Sequence, residues 1–519
     1  MSSANLERAA KLKDEGNTLF ARKEFKAANQ KYTEAIVLDD KNPILYANRA
    51  ACRLSLKKYL DASQDASKAT ELDPTYAKAW ARLATAQDFL AQRQNSVKFW
   101  RKAVEALLKE NLTEAEKKQK QQYEAGLAAA IDAEKALQKG IPVEVPIIQR
   151  EHRNVTPWMV AMSMLPQLQL EGNDRSSAWI ISSAYRDFEE ANRKMQPIRH
   201  GRHETFDMSA MEHLSNALLT DQRCFHIADP TWIQKFTKQV QAQTVGMRGW
   251  TFDSFDNVFA EVEKRLENEG WDATRRALST TTRCWIALGH LDMGLKRNAH
   301  SNLEFLDRVI KTILWGQKKW SHVSYEHRGV IFRESFLRGV RNLRLEALLQ
   351  IAGEENTASG KVEALEEILR EAETIIKSVE KDTAPPDPNP VFRLAYHDYP
   401  CAHAYALKGY YYREKAKLSK DGREESKFCM EAGKAYMIAA SKYPEDDENN
   451  AWFLHVAVDC LAQGDANPKL TLEALEKLQA AIPRMQKIWA LSSLAIGGRD
   501  VMIETTLSRE QELRNRVKD

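Results

Sequence analysis

Apolar positions recur three and four residues apart along most of this chain, the spacing that puts them on one face of a helix. Phe305, Val309, Ile310, Ile313 and Leu314 make one such stripe. The same periodicity predicts helices over 177–195, 208–219, 230–242, 254–268, 272–294, 300–316, 331–353 and 361–381. No alternating strand series and no glycine-rich loop after a strand interrupts the pattern, so the expected fold class is all-α. Two proline-containing stretches do interrupt it: 141–157 (IPVEVPIIQREHRNVTP) reads as a linker, and 383–390 (TAPPDPNP) as a second break. The expected division is 1–140, a linker at 141–157, a helical domain at 158–382 and a second one at 391–519.

Within the first hundred residues the pattern repeats. At a shift of about 34 residues, a spacing typical of stacked helix pairs, Gly16, Ala50 and Ala84 fall in register. So do Ala28, Ala62 and Ser96, and then Ala35, Ala69 and Ala103. Asp40 and Pro74 mark the turn after each second helix, and Tyr46 and Trp80 hold the bulky position before the small one. This is the tetratricopeptide repeat (TPR) pattern, over roughly residues 9–108. Small residues stand where paired helices press closest, and Leu12, Leu19, Tyr32, Trp80 and Trp100 fill the gaps. Arg53 and Gln87 occupy a slot that usually holds an aromatic residue; Arg53 is expected to snorkel to solvent. Residues 113–140 read as a capping helix over the last apolar face, carrying Tyr123, Leu127, Ala130, Ile131 and Leu137 and stopped by Gly140 and Pro142. A weaker array is expected near the other end. Tyr405, Gly409 and Tyr412 match a first helix, and Ala432, Tyr436, Ala439 and Pro444 a second, with LSKDGREES as an inserted loop. Another pair is expected from Trp452 to Pro483.

Stacking places every first helix on the concave side. There Lys13 and Asn17 of the first repeat, Asn48 of the second, and Lys78 and Arg82 of the third share one groove, with Asp14 the one anion on that face. Three cations and two amides offer many N–H donors, which suits carboxylates. A free chain end brings a main-chain carboxylate, and a terminal Asp brings a second.

The stretches LKDEGNTLF, LYANRAAC and YAKAWARLATA resemble the carboxylate clamp of TPR co-chaperones, a family that binds the C-terminal Glu-Glu-Val-Asp tails of seventy- and ninety-kilodalton heat-shock chaperones. The resemblance implies that Lys13, Asn17 and Asn48 hold the terminal carboxylate. It implies that Lys78 and Arg82 hold the side chain of the final Asp or a nearby backbone carbonyl. In residues 391–519, Ala406 and Tyr410 stand where Lys13 and Asn17 stand in the first repeat, so no clamp is expected there.

Composition narrows the field. A net charge of +3, from 76 Lys and Arg against 73 Asp and Glu, argues against a dedicated nucleic-acid binder. Six scattered cysteines without a C-x-x-C pair suit free thiols in a reducing cytoplasm. No apolar run is long enough to span a membrane, and the polar beginning lacks a signal core. Three other clusters invite chemistry. His200, His203 and Glu204 could begin a metal site but read as a polar loop. His397, Cys401 and His403 have loosely metal-like or nucleophile-like spacing but read as a loop entering a packed helix. Arg328, Arg333, Arg338, Arg341 and Arg344 could meet RNA or an acidic partner but read as a solvated face near Glu334 and Glu346. No isomerase, phosphatase or ubiquitin-ligase signature is present. The expectation is an adaptor with no catalytic residues, metal or cofactor, linking a chaperone tail to a second, unknown protein. The alternatives are an enzyme with an unrecognised site in its helical C-terminal region, recruited by the repeats, and a scaffold for a different acidic C-terminal peptide.

Overall fold

The computed structural model of the protein describes residues 3–90, 92–108, 111–138, 155–200, 203–227, 229–382, 389–464, 468–511 and 514–515. They form two units. The first takes Met1–Glu144 together with Phe252–Glu261 and Leu288–Phe305; the second takes Val145–Thr251, Val262–Ala287 and Leu306–Asp519.

The first unit begins with three helix pairs: α1 (Ser3–Ala21) with α2 (Phe25–Leu38), α3 (Pro43–Ser55) with α4 (Tyr59–Leu72), and α5 (Ala77–Phe89) with α6 (Arg93–Glu105). The small residues sit at the closest approaches: Ala28, Ala35, Ala50, Ala62, Ala69, Ala84, Ser96 and Ala103 are all fully buried. At Gly16 a Cβ would stand only 2.8 Å from the Tyr32 ring, so the α1–α2 pair closes because that side chain is missing. Asn42 starts α3 by accepting from the Ile44 N–H, with Pro43 at the first helical position. The capping helix α7 (Glu114–Gln138) lays Tyr123 against Trp100, and Gly126 gives the Trp100 ring its room. Its expected stop at Gly140 and Pro142 lies outside the described residues.

Arg53 does not snorkel. It is 4% exposed, and its guanidinium meets Asp65 at 2.8 Å and Asp256 at 2.7 Å. Arg49, one turn earlier, clamps Asp65 with two bonds of 2.9 and 2.7 Å and reaches Asp256 at 3.1 Å. Burial works against the charge on Arg53, but Asp65, Asp61 and Asp256 outweigh it and hold its pKa above the ordinary value. The partner that makes this possible, Asp256, comes from far along the chain. Gln87, in the equivalent slot of the third repeat, donates to Ser63 Oγ at 2.7 Å. A second distant carboxylate, Glu304, accepts from the backbone N–H groups of Leu60 and Asp61, both at 2.8 Å. It satisfies donors that the first turn of α4 would leave open.

The second unit is helical too. Its elements are α8 (Pro157–Leu170), α9 (Ser177–Lys194), α10 (Ala210–Asp221), α11 (Trp232–Gly246), parts of α12 (Phe255–Lys296) and α13 (Ala299–Lys319), the short α14 (Tyr325–Arg328), α15 (Glu334–Glu354) and α16 (Ala358–Glu380). Then follow α17 (Pro390–Arg393), α18 (Tyr399–Leu418), α19 (Gly422–Lys442), α20 (Glu448–Gln463), α21 (Pro468–Trp489), α22 (Ser493–Ile496) and α23 (Arg499–Leu507). Helix α12 is interrupted at Gly270, whose φ of 76° leaves the helical region. The segment read as a loop around His200 is instead an antiparallel ribbon of β1 (Ile198–His200) and β2 (His203–Thr205), with His200 opposite His203.

Two further expectations change. The loop at 418–426 shrinks to a turn, because α19 already starts at Gly422, with Asp421 accepting from the Arg423 N–H and Glu424 and Glu425 in the first turn. The extra residues of this repeat are extra helix. Residues 391–519 fall in the same unit as most of 158–382, while 252–261 and 288–305 belong to the first unit. Polar bonds cross the break: the buried Arg338, on α15, donates to the Tyr396 carbonyl at 2.6 Å. Trp489 donates to Ser177 Oγ at 3.0 Å. Most of TAPPDPNP and of the 141–157 linker lies outside the described residues.

Asp65→Asn is expected to leave two buried guanidinium groups short of charge and to cost the repeat unit about 3–5 kcal/mol. Lys68→Ala, on the exposed side of the same helix, is expected to stay within about 0.5 kcal/mol. Denaturant unfolding followed by circular dichroism measures both; equal stability of the two variants would show the ion cluster to be dispensable.

Candidate functional site

The five groove residues lie on the three first helices: Lys13 and Asn17 on α1, Asn48 on α3, Lys78 and Arg82 on α5. Three of them are directly joined. Tyr32 Oη and Asn48 Nδ2 both donate to Asn17 Oδ1, at 2.7 and 3.1 Å. Arg82 Nη1 donates to Asn48 Oδ1 at 3.3 Å. This chain of bonds crosses all three repeats. It uses the oxygen of each amide inside the protein, so what Asn17 and Asn48 have left to offer is N–H. Lys13 and Lys78 stand one turn away from Asn17 and Arg82 along their helices. Lys13 is half-buried, with Asp14 3.9 Å from its ammonium, and Lys78 is exposed.

Charge separates this face from the rest of the unit. Arg49 and Arg53 are saturated by Asp65 and Asp256. Arg82 has no carboxylate partner among the described residues. Burial pulls its pKa below the ordinary guanidinium value, against the nearby oxygens of Tyr76, Tyr123 and Tyr32. A partly desolvated cation without a counter-ion, set among amide donors, draws an anion from solution.

Tyr32 is the residue that sequence reasoning placed only as a gap filler. Its ring packs against Gly16 and its hydroxyl orients Asn17, so it links core to groove. Burial, and then the neighbouring Cys52, push its pKa up to about 12, so it remains a donor at neutral pH. A Tyr rather than a Phe opposite the first-helix glycine was the available signal. Tyr123 of the capping helix also reaches the neighbourhood of Arg82, a contact that repeat spacing does not encode.

The other candidates have structural occupations. Glu204 accepts from Lys238 at 3.2 Å. His397 faces Asp382 at 3.4 Å, and His403 meets Asn342 at 2.7 Å and Glu346 at 3.3 Å. Cys401 is buried, which pushes its thiol pKa up, and no hydrogen bond joins it to either histidine among the described residues. Within the arginine run, Arg338, Arg341 and Arg344 do not form a solvated face. Arg338 is 1% exposed; Arg341 pairs with Glu371 at 2.9 Å; Arg344 pairs with Asp307, Glu367 and Glu371 at 2.8, 2.8 and 3.1 Å. Their carboxylates come from α13, from α16, the next helix along the chain, and, for Arg338, from Asp382 just beyond α16.

Because Arg82 is held without a carboxylate, Arg82→Met is expected to melt at the same temperature as the parent or slightly higher, by analogy with other sites kept for binding at some expense of stability. Differential scanning calorimetry reads this directly. A fall of more than a few degrees would make Arg82 a structural residue.

No known family model matches the chain. Among curated proteins, it is 50% identical over 78 residues to a heat shock protein sti1 homolog of Schizosaccharomyces pombe, covering 15% of this chain and 13% of that protein. It is 41% identical over 96 residues to the heat-shock protein cognate co-chaperone sgt12 of Aspergillus fumigatus, covering 18% and 28%. It is 34% identical over 130 residues to small glutamine-rich tetratricopeptide repeat-containing protein 2 of Saccharomyces cerevisiae, covering 25% and 37%. The chain thus spans well under half the length of these relatives, over stretches about as long as the repeat array. The array of the first unit is a TPR domain similar to part of these co-chaperones.

Proposed function

We propose that this protein is a TPR adaptor, a co-chaperone whose first unit grips the acidic C-terminal tail of a heat-shock chaperone of the ninety- or seventy-kilodalton class. The observation that carries the reading is the bonded row Asn17–Asn48–Arg82, ending in a guanidinium with no carboxylate partner among the described residues. The groove lines up donors and, among the described residues, gives its half-buried guanidinium no carboxylate, which is what a doubly charged chain end needs. In this reading Lys13, Asn17 and Asn48 hold the terminal carboxylate. Lys78 and Arg82 hold the last Asp side chain or a backbone carbonyl beside it. Tyr32 fixes the first amide. The similarity to co-chaperones of the sti1 and sgt12 kind supports it.

The adaptor reading includes no catalytic step and no cofactor; Glu204, His397 and His403 are engaged in ion pairs and hydrogen bonds. No helix of the described residues is long and apolar enough to cross a membrane, and the six buried free cysteines suit a reducing cytoplasm. The second unit is the part that meets another protein.

A peptide ending in Glu-Glu-Val-Asp is expected to bind at about micromolar affinity, roughly −7 to −8 kcal/mol. Amidating its C-terminus is expected to weaken binding about tenfold or more, since one of the two charges is removed. Raising salt weakens it further, because partly exposed ion pairs are screened. Titration calorimetry with the acid and amide forms at two salt concentrations decides the matter. Equal affinity for acid and amide would overturn the roles given to Lys13, Asn17 and Asn48.

The double variant Lys78→Ala/Arg82→Ala is expected to keep its helical signal while losing about tenfold or more in affinity, the loss that even one charged hydrogen bond implies. Circular dichroism and calorimetry on one sample separate the outcomes. Unchanged affinity with the fold intact would remove the clamp.

A further inference from the structure

The second unit contains a cavity of about 500 Å³. That is within the range of built ligand sites, roughly 300–1,000 Å³. It opens among α15, α18, α19 and α20, where the C-terminal TPR-like pairs stack. The stacking obeys the same rule as the first array: a Cβ on Gly409 would stand 3.0 Å from the Tyr436 ring. Immediately before α18 the chain makes a π-helical turn, Leu394–Asp398, a widening often found beside functional sites. Ala395 of that turn lines the cavity.

The walls are aromatic, with Tyr410, Tyr436, Trp452 and Phe453 among them. The charged lining residues are Asp221, Arg223, Glu346, His403 and Arg413. Four of these are engaged within the fold. Arg223 pairs with Asp221 at 2.7 Å and with Asp447 at 2.9 Å, and His403 faces Glu346 at 3.3 Å. Arg413, half-buried, takes part in no ion pair or hydrogen bond among the described residues. The indole N–H of Trp452 and the side-chain amide of Asn449, also lining groups, make none either. Arg413 is close enough to Tyr436 to oppose the rise that burial causes in its pKa. Among the described residues the cavity therefore presents one cation and two donor groups without a bonded partner, together with broad ring faces.

We propose that this cavity is a second peptide-binding groove, taking an internal extended segment of a partner protein in which an aromatic or large apolar side chain stands next to an acidic one. The rings receive the apolar side chain, Arg413 the carboxylate, and the Trp452 and Asn449 donors the backbone carbonyls. A chain end is the wrong ligand here. Ala406 and Tyr410 occupy the positions that Lys13 and Asn17 hold in the first array, so the cluster of donors for a main-chain carboxylate is missing. The inference does not rest on the clamp: it stands on a different set of residues in a different unit.

The test uses the full-length chain on an array of octapeptides anchored through their C-termini, which offers the first groove no free chain end. Wild type is expected to be retained at least about fivefold more on spots with Phe, Trp or Leu beside Asp or Glu than on matched spots with Lys in place of the acid. Arg413→Glu is expected to lose that retention about tenfold or more, and Arg413→Gln serves if the reversed charge prevents folding. Trp452→Phe keeps the ring and removes the donor, and is expected to weaken retention about threefold or more. Lys78→Ala/Arg82→Ala should leave the pattern unchanged, which separates this result from any failure of the clamp. The proposal is overturned if wild type shows no preference for the acidic-aromatic spots. It is equally overturned if either Arg413 variant keeps that preference at an unchanged melting temperature.

Discussion

Two helices of a stacked pair can close fully only where one of them gives up its side chain. In this protein that constraint is met at Gly16 against Tyr32 and again at Gly409 against Tyr436. The intervening small residues, Ala50, Ala62, Ala69 and Ala84, extend it through the first array. Everything at the groove follows from the resulting stacking. The first helices come to lie side by side, so side chains one repeat apart in sequence become neighbours in space. Arg82 and Asn48 are such a pair, and their hydrogen bond is a direct consequence of the repeat period. Tyr32 couples the two levels, since the ring that needs the glycine carries the hydroxyl that holds Asn17.

What could be read from sequence was whatever repeats. The period put Asn17, Asn48 and Arg82 on one face, and the structure joins them. The helices from 177 to 381 were legible because their apolar stripes run for many turns. What could not be read was the identity of distant partners. Arg53 looked like a blemish because nothing nearby in sequence announces Asp256, which completes its ion cluster. The arginines at 338, 341 and 344 looked solvated because the carboxylates that bind them lie outside their helix: Glu371, Glu367 and Asp307 on α16 and α13, and Asp382 just past α16. The supposed loop at 418–426 failed for a local reason: an acidic first turn behind an Asp cap favours helix over the insertion that a standard repeat length suggested. The break at 383–390 was a break in helical pattern without being a break between units, because buried bonds such as Arg338 to the Tyr396 carbonyl tie its two sides together.

Arginine therefore carries two different meanings in this fold, and burial alone does not distinguish them. Arg49, Arg53, Arg338 and Arg344 are desolvated and paired, so each is part of the framework. Arg82 and Arg413 are partly desolvated with no carboxylate partner among the described residues. A cation in that condition costs the folded state something, because lost hydration is not replaced by a counter-ion. It is useful only when the counter-ion arrives from outside. These two guanidinium groups also sit in different company. Arg82 ends a row of amide side chains, Asn17 and Asn48. Arg413 sits among rings, where one carboxylate is enough and the remaining affinity must come from apolar contact. That difference in surroundings, rather than any difference in the arginines, is why we propose a charged chain end for one groove and an internal segment with an aromatic anchor for the other.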